Sequence, residues 1–203
     1  VSLDSAGAIS AWGSPSSGGG DSGAWAGTDC SSSDTQCNNA PTGSGFIFIA
    51  STGQGFAALH SLGTISAWGW HSNGGVGPTG SGFVSIASAK YAFAALDSSG
   101  AISAWGHSSY GGSGAPTGSG FVSIASSGTA FAALDGSGTI SAWGGYSAGG
   151  GGAPTGSGFV SIASSGSASV SYTHLRAHET PSNLVWRGGG ENGGGGGGGG
   201  GGG

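Results

Sequence analysis

Charge is nearly missing from this chain. Lys and Arg number 3 in 203 residues, Asp and Glu number 8, and charged residues make up 5%. A typical soluble domain carries about 25%. One Lys and two Arg give no basic patch to neutralise phosphates, which argues against nucleic-acid binding. Methionine is absent, so the chain is expected to be processed or a fragment. No uninterrupted apolar run approaches membrane-helix length, so no membrane insertion is expected. Low hydrophobicity joined to high charge marks disorder, and the charge is lacking here. What is abundant is Gly, 51 residues of 203, without the period of collagen. Apolar residues reach 35%, with 7 Trp and 8 Phe, so material for a core exists.

The Gly is organised by a repeat. Pro-Thr-Gly-Ser-Gly-Phe begins at Pro41, Pro78, Pro116 and Pro154. Ile-Ser-Ala-Trp-Gly carries its Trp at Trp12, Trp68, Trp105 and Trp143. The gap after Trp12 is longer than the others, so one unit carries an insertion. A full unit reads GFVSIASSGTAFAALDGSGTISAWGGYSAGGGGAPTGS. Missing such a repeat misreads the whole fold.

Each unit predicts three strands. In FVSIAS, Val84, Ile86 and Ser88 share one face and Phe83, Ser85 and Ala87 the other, a period of two. AFAAL is short and apolar, as a strand buried on both faces is. ISAWG sets Ile102 and Ala104 opposite Ser103 and Trp105. Asp97 to Gly100 joins the last two strands, with Gly100 supplying the positive φ of a hairpin. The same turn recurs at Asp4 to Gly7 and Asp135 to Gly138. Its Asp is expected to bond the turn backbone rather than to catalyse, and His60 replaces it in the second unit.

One such unit cannot bury its own faces, so stacking is required. Small Ala and Ser let neighbouring sheets approach, while Phe, Ile, Leu and Trp interlock. Three short strands per unit suit a β-propeller blade. The expected fold is all-β, an incomplete propeller-like array of about four short blades over residues 1–168. A β-solenoid is the alternative.

The strings Phe83 to Ser88, Phe93 to Leu96, Gly100 to Gly106 and Gly111-Gly112, with their counterparts in the other units, resemble the repeat of the regulator of chromosome condensation family. The resemblance covers roughly residues 1–168 and implies a β-propeller. The units are shorter than that family's, and the Gly-Gly lacks its following Gln-Leu-Gly. Nucleotide-exchange activity is therefore not implied.

The ends break the pattern. Val1 to Asp4 begins inside a strand, so the ring is expected to be open. After Ala168 the repeat should continue with Phe-Ala-Ala-Leu-Asp, but SVSYTHLRAHET follows and the chain ends in poly-Gly. SYTHLRAHET resembles a translated sequencing-adapter artefact. Residues 169–203 are expected to be non-native or a disordered Gly-rich tail outside the fold. His174 and His178 lie four apart, but the zincin order His-Glu-x-x-His is absent, so no metal site is expected.

Candidate functional residues gather in the loop after Trp-Gly, where the units differ. Loops at one offset in stacked repeats share a face, often the binding one. Trp25, Trp70, His71, His107, Tyr110 and Tyr146 belong to it. They are expected to grip a protein or carbohydrate ligand, or else to cap the core. In the insertion, Cys30 and Cys37 are expected to form a local disulfide, contributing about 2–3 kcal/mol; free thiols are the alternative. Asp21, Asp29 and Asp34 lack the alternation of a Ca²⁺ loop. No nucleophile–base pair, carboxylate pair, metal cluster or phosphate loop recurs, so no enzyme activity and no cofactor are expected. The expected function is a non-enzymatic binding scaffold, extracellular or on the cell surface. A structural or surface-coat role is the alternative.

Overall fold

A computed structural model describes residues 1–13, 37–165 and 168–173, with the backbone alone described for 37–38 and 168–173. Strands β1 (Ser2–Leu3) and β2 (Ile9–Ser10) form a first, two-stranded sheet. The second sheet contains β3 (Cys37–Asn38), β4 (Phe46–Ser51), β5 (Gly55–His60) and β6 (Ile65–Trp70), in the order β3-β6-β5-β4. The third is β7 (Phe83–Ser88), β8 (Ala92–Asp97) and β9 (Ile102–Gly106). The fourth is β10 (Phe121–Ser126), β11 (Ala130–Asp135) and β12 (Ile140–Gly144). The fifth pairs β13 (Phe159–Ser165) with β14 (Ala168–Thr173).

Every one of these pairings is antiparallel, and among the described residues no ladder runs from one unit to the next. That is an all-β, propeller-like array of small blades. The coils of a β-solenoid would need parallel ladders joining units. The strand β3 was not legible in the repeat. It comes from the end of the insertion and pairs Cys37 with Trp70 and Asn38 with Gly69.

The middle strand of each blade is buried on both faces. Ala92, Phe93, Ala94 and Ala95 in β8 are fully covered, as are Ala130, Phe131 and Ala133 in β11. The alanines let the next sheet close in, and the aromatic residues fill what remains. Ala50, Ala57 and Leu59 of the second blade thus share one core cluster with Phe83, Ile86, Phe93, Ala95 and Trp105 of the third. Ala92, Ala94 and Ala89 of the third share another with Phe131, Ala133 and Trp143 of the fourth. Burying each such Phe contributes roughly 1.5–3 kcal/mol of transfer free energy.

The first strand departs from simple alternation. Pairing skips one residue between Phe83 and Ser85, and likewise between Phe46 and Phe48, Phe121 and Ser123, and Phe159 and Ser161. The skipped residues, Ile47, Val84, Val122 and Val160, are exposed. A β-bulge leaves the extra residue unpaired and re-aims its neighbours. Phe83 and Ile86, assigned by strict alternation to opposite faces, therefore enter the same core cluster. That face assignment is corrected.

Backbone hydrogen bonds clasp each blade to the next at the hairpin end, and join the second to the third and the third to the fourth at the other end as well. At one end the hairpin glycine carbonyl of each unit accepts from the phenylalanine that starts the following sheet: Phe46 to Gly7, Phe83 to Gly63, Phe121 to Gly100 and Phe159 to Gly138, each at 3.0 Å. Gly100 sits at φ 80°, and a Cβ there would lie 2.6 Å from the Gly120 nitrogen, so no side chain fits. At the other end the Gly53 amide donates to the Lys90 carbonyl and the Lys90 amide to the Gly128 carbonyl.

The boundary placed at residue 168 falls within β14. Pairing of β14 with β13 runs from Ser165–Ala168 to Phe159–Thr173, the register of β10 with β11. Ser-Val-Ser-Tyr-Thr lacks the apolar content of Phe-Ala-Ala-Leu-Asp, but pairing uses the backbone, so the strand forms without it. His174 and His178 lie outside the described residues.

Candidate functional site

The meander sorts the chain's chemistry onto two ends of the sheets. Hairpins between second and third strands fall at one end. There Asp97 Oδ1 accepts from the Ser99 amide, the Ser99 hydroxyl and the Ala101 amide, at 2.8, 2.7 and 2.8 Å. Asp135 Oδ1 accepts from the Ser137 amide and hydroxyl and the Thr139 amide, at 2.9, 2.6 and 2.8 Å. The serine hydroxyl bond first, then the backbone amides, holds each carboxyl below its ordinary range. Asp4 bonds the Ala6 and Ala8 amides in the same way. His60 fills the same place, since its Nδ1 accepts from the Leu62 amide at 3.1 Å. These groups are occupied by their own turns.

The opposite end is built from two loops. One is the turn from the first strand to the second. The other is the segment after the third strand, which coils into a short 3-10 turn: His71–Asn73, Ser108–Tyr110 and Tyr146–Ala148. The amides of Trp70, His107 and Gly145 donate to the carbonyls of Gln54, Tyr91 and Thr129, holding the two loops together. Each of the two complete 3-10 turns before another Trp-bearing blade ends in a left-handed glycine, Gly74 at φ 103° and Gly111 at φ 88°. The Gly111 carbonyl accepts from Trp143 Nε1 of the next blade at 3.0 Å, and the Gly74 carbonyl from Trp105 Nε1 at 3.1 Å. The same indoles stack on Phe131 and Phe93 at 5.3 and 5.2 Å. Trp105 and Trp143 thus fasten the loop of one blade to the core of the next.

On this fixed frame the facing side chains differ from unit to unit. In the second blade Asn73 Nδ2 donates to Gln54 Oε1 at 2.5 Å. In the third, the same two positions hold Tyr110 and Tyr91, with rings 4.9 Å apart and 79° between planes. In the fourth they hold Ala148 and Thr129. The third blade adds His107, whose ring stands 5.1 Å from Tyr110 at 89°. The His107 Nδ1 accepts from the Ser109 amide at 3.3 Å, which leaves the proton on Nε2. Lys90 Nζ lies 5.3 Å from the centre of the Tyr91 ring. The rings of Tyr91, His107 and Tyr110 are half-buried and Lys90 is exposed.

Of the residues marked in the sequence, Trp70, His71, His107, Tyr110 and Tyr146 all fall at this end. Of these, the rings of His107 and Tyr110 touch each other. Trp70 and His71 are half-buried, and Tyr146 is 83% exposed. Trp25 and Cys30 lie outside the described residues, as does the side chain of Cys37, so the disulfide lies outside them too. Sequence reasoning missed Tyr91 and Lys90. Aligning the turn before AFAAL would have found them, because Gln54 and Thr129 stand where Tyr91 does. Among the described residues no three His, Cys, Asp or Glu side chains gather as metal ligands, and no helix is long and apolar enough to cross a membrane.

No protein-family model matches the chain, and no curated protein matches it. Among solved structures it is similar to the ectodomain of the receptor kinase CR4 from Physcomitrella patens, with a TM-score of 0.47 and 20% identity over 60% of this chain and 35% of that one. It is also similar to human WBSCR16, with a TM-score of 0.37 and 18% identity over 49% of this chain and 33% of that one. The chain spans about a third of the length of these two structures. At such scores neither likeness bears on what this chain does.

Proposed function

We propose that the chain is a non-enzymatic binding scaffold built on propeller-type repeats of the regulator of chromosome condensation kind. Its recognition face is the loop end of the sheets. One observation carries the reading: constant backbone clasps set Gln54 beside Asn73, Tyr91 beside Tyr110, and Thr129 beside Ala148 at equivalent positions. Of these, Gln54, Tyr91, Tyr110 and Thr129 are half-buried and reach the surface, while Asn73 and Ala148 are buried beneath it. A fixed frame with varied side chains on one end is how stacked repeats make a binding surface. The partner is a protein or carbohydrate met outside the cell or at its surface. The face holds one Lys among the described residues, too little charge for a nucleic-acid backbone. The reading assigns the chain no reaction and no cofactor. A structural or surface-coat role is the second reading, favoured by the exposed column Ile47, Val84, Val122 and Val160.

The test is a glycan and peptide array probed with the full chain and two variants. One variant replaces Tyr91 and Tyr110 with Ala. The other replaces Ser99 and Ser137 with Ala at the far end. Ligands retained by the native chain should be lost by the first and kept by the second. Binding that both variants keep in full would overturn the placement of the face. Absence of any retained ligand would favour the structural role.

A further inference from the structure

The two ends of the sheets differ in charge as well as in side-chain variety. Among the described residues the carboxylates are Asp4, Asp97 and Asp135, all at the hairpin end. The one Lys among them, Lys90, sits at the loop end beside Tyr91. An acidic protein, with formal net charge −5, therefore keeps these carboxylates a strand's length from its lysine. Around that lysine the rings of Tyr91 and Tyr110 meet at 79° and those of Tyr110 and His107 at 89°. Perpendicular rings make a corner, and a corner suits a flat, rigid ligand with an apolar face. The His107 Nε2–H and the tyrosine hydroxyls supply hydrogen-bonding groups at its rim. Tyr91 is also braced from behind, because a Cβ on Gly53 of the preceding blade would lie 2.7 Å from its ring.

We propose that Lys90, Tyr91, His107 and Tyr110 form a site for an acidic saccharide, a pyranose bearing a carboxylate of the uronic-acid type. The inference rests on the reading of the loop end as the recognition face and names its ligand class. The apolar C–H face of the sugar lies on the tyrosine corner. The carboxylate pairs with Lys90, and a ring hydroxyl accepts from His107 Nε2. A neutral sugar would use the corner but leave Lys90 without its anion. The lysine is exposed, so the pair works through a charge-assisted hydrogen bond rather than through buried Coulomb energy.

Titration calorimetry of the full chain with oligogalacturonate, and with the same oligomer fully methyl-esterified, tests this. The ester has the same shape without the charge. The acid should bind roughly two- to fivefold more tightly than the ester. Lys90→Gln should abolish that preference, Lys90→Arg should restore most of it, and Tyr110→Ala should weaken both ligands. Circular dichroism of each variant separates lost binding from lost fold. Equal binding of acid and ester, unchanged by Lys90→Gln, would overturn the acidic-saccharide assignment while leaving the loop end as a recognition face. Binding of a peptide with a free terminal carboxylate, and of neither oligomer, would overturn it in favour of a protein partner. Acid binding that survives Tyr110→Ala in full would place the ligand elsewhere and overturn both.

Discussion

The fastening of each loop to the next blade is open to a controlled substitution. Gly111 lies at φ 88°, and a Cβ built on it would stand 2.5 Å from Cδ2 of Phe131. Gly118 lies at φ 104° with nothing within 4 Å of such a Cβ. Both Gly111→Ala and Gly118→Ala force an L-residue into the left-handed region, at about 1–2 kcal/mol. Both also gain the same few tenths to 1 kcal/mol or so from a less flexible unfolded chain. Only Gly111→Ala drives a methyl into the Phe131 ring, which is fully buried and stacked on Trp143. Overpacking of that kind costs about 1–3 kcal/mol. The difference between the two variants should therefore be about 1–3 kcal/mol, with Gly111→Ala the less stable. Urea unfolding followed by tryptophan fluorescence reads it, at a slope of roughly 1–3 kcal/mol per molar urea. Phe131→Leu in the Gly111→Ala background should recover part of the loss, as coupled neighbours do. If the two single variants agree within about 0.5 kcal/mol, loop and blade are not locked as described.

Three further outcomes follow from the same geometry. Phe93→Ala should lower stability by about 3–5 kcal/mol in denaturant, since the ring is fully covered by residues of two blades. Trp143→Phe keeps the stacking but strips the Gly111 carbonyl of its 3.0 Å donor, and should cost about 1–3 kcal/mol in the same measurement. Asp97 and Asp135 have carboxyls held below their ordinary range by the Ser99 and Ser137 hydroxyls first and by turn amides next. A lowered folded value stabilises above the unfolded value of about 3.9 and is lost as pH falls through the folded one. Thermal midpoints should thus drop on acidification below about pH 4, and Asp97→Asn with Asp135→Asn should flatten that limb. An acid limb identical in the double variant would refute the assignment.

Much of the blade was legible because its strands obey local rules. FVSIAS, AFAAL and ISAWG fall on β7, β8 and β9 with their ends within a residue. The Asp turn was legible too, since a side chain that bonds its own backbone leaves a local signature. Three features were not. The bulge at Val84 breaks alternation with no Gly or Pro to mark it, and is set by how Phe83 and Ile86 must both reach one core. The strand β3 depends on a pairing with β6 that the repeat does not encode. The corner formed by Tyr91 and Tyr110 joins residues from two loops, which are brought together by the 2.9 Å bond from the His107 amide to the Tyr91 carbonyl and by the ring contact itself. Spacing alone pointed to His107 and Tyr110 but could not supply the partner across the gap.

The clasps between hairpin glycines and following phenylalanines also bear on how the chain is made. Phe83 needs Gly63, Phe121 needs Gly100 and Phe159 needs Gly138, so each bond looks backward to a unit already synthesised. A nascent blade would find this docking edge waiting as it leaves the ribosome, while its loop-end bonds, Gly53 to Lys90 and Lys90 to Gly128, and its second apolar face wait for the blade that follows. Contacts that close over short sequence distances form quickly, and arrays of neighbour contacts grow by propagation from any formed unit. The array is therefore suited to folding in order of translation, one blade at a time. Stalling would leave a shorter stack whose finished part is already in register.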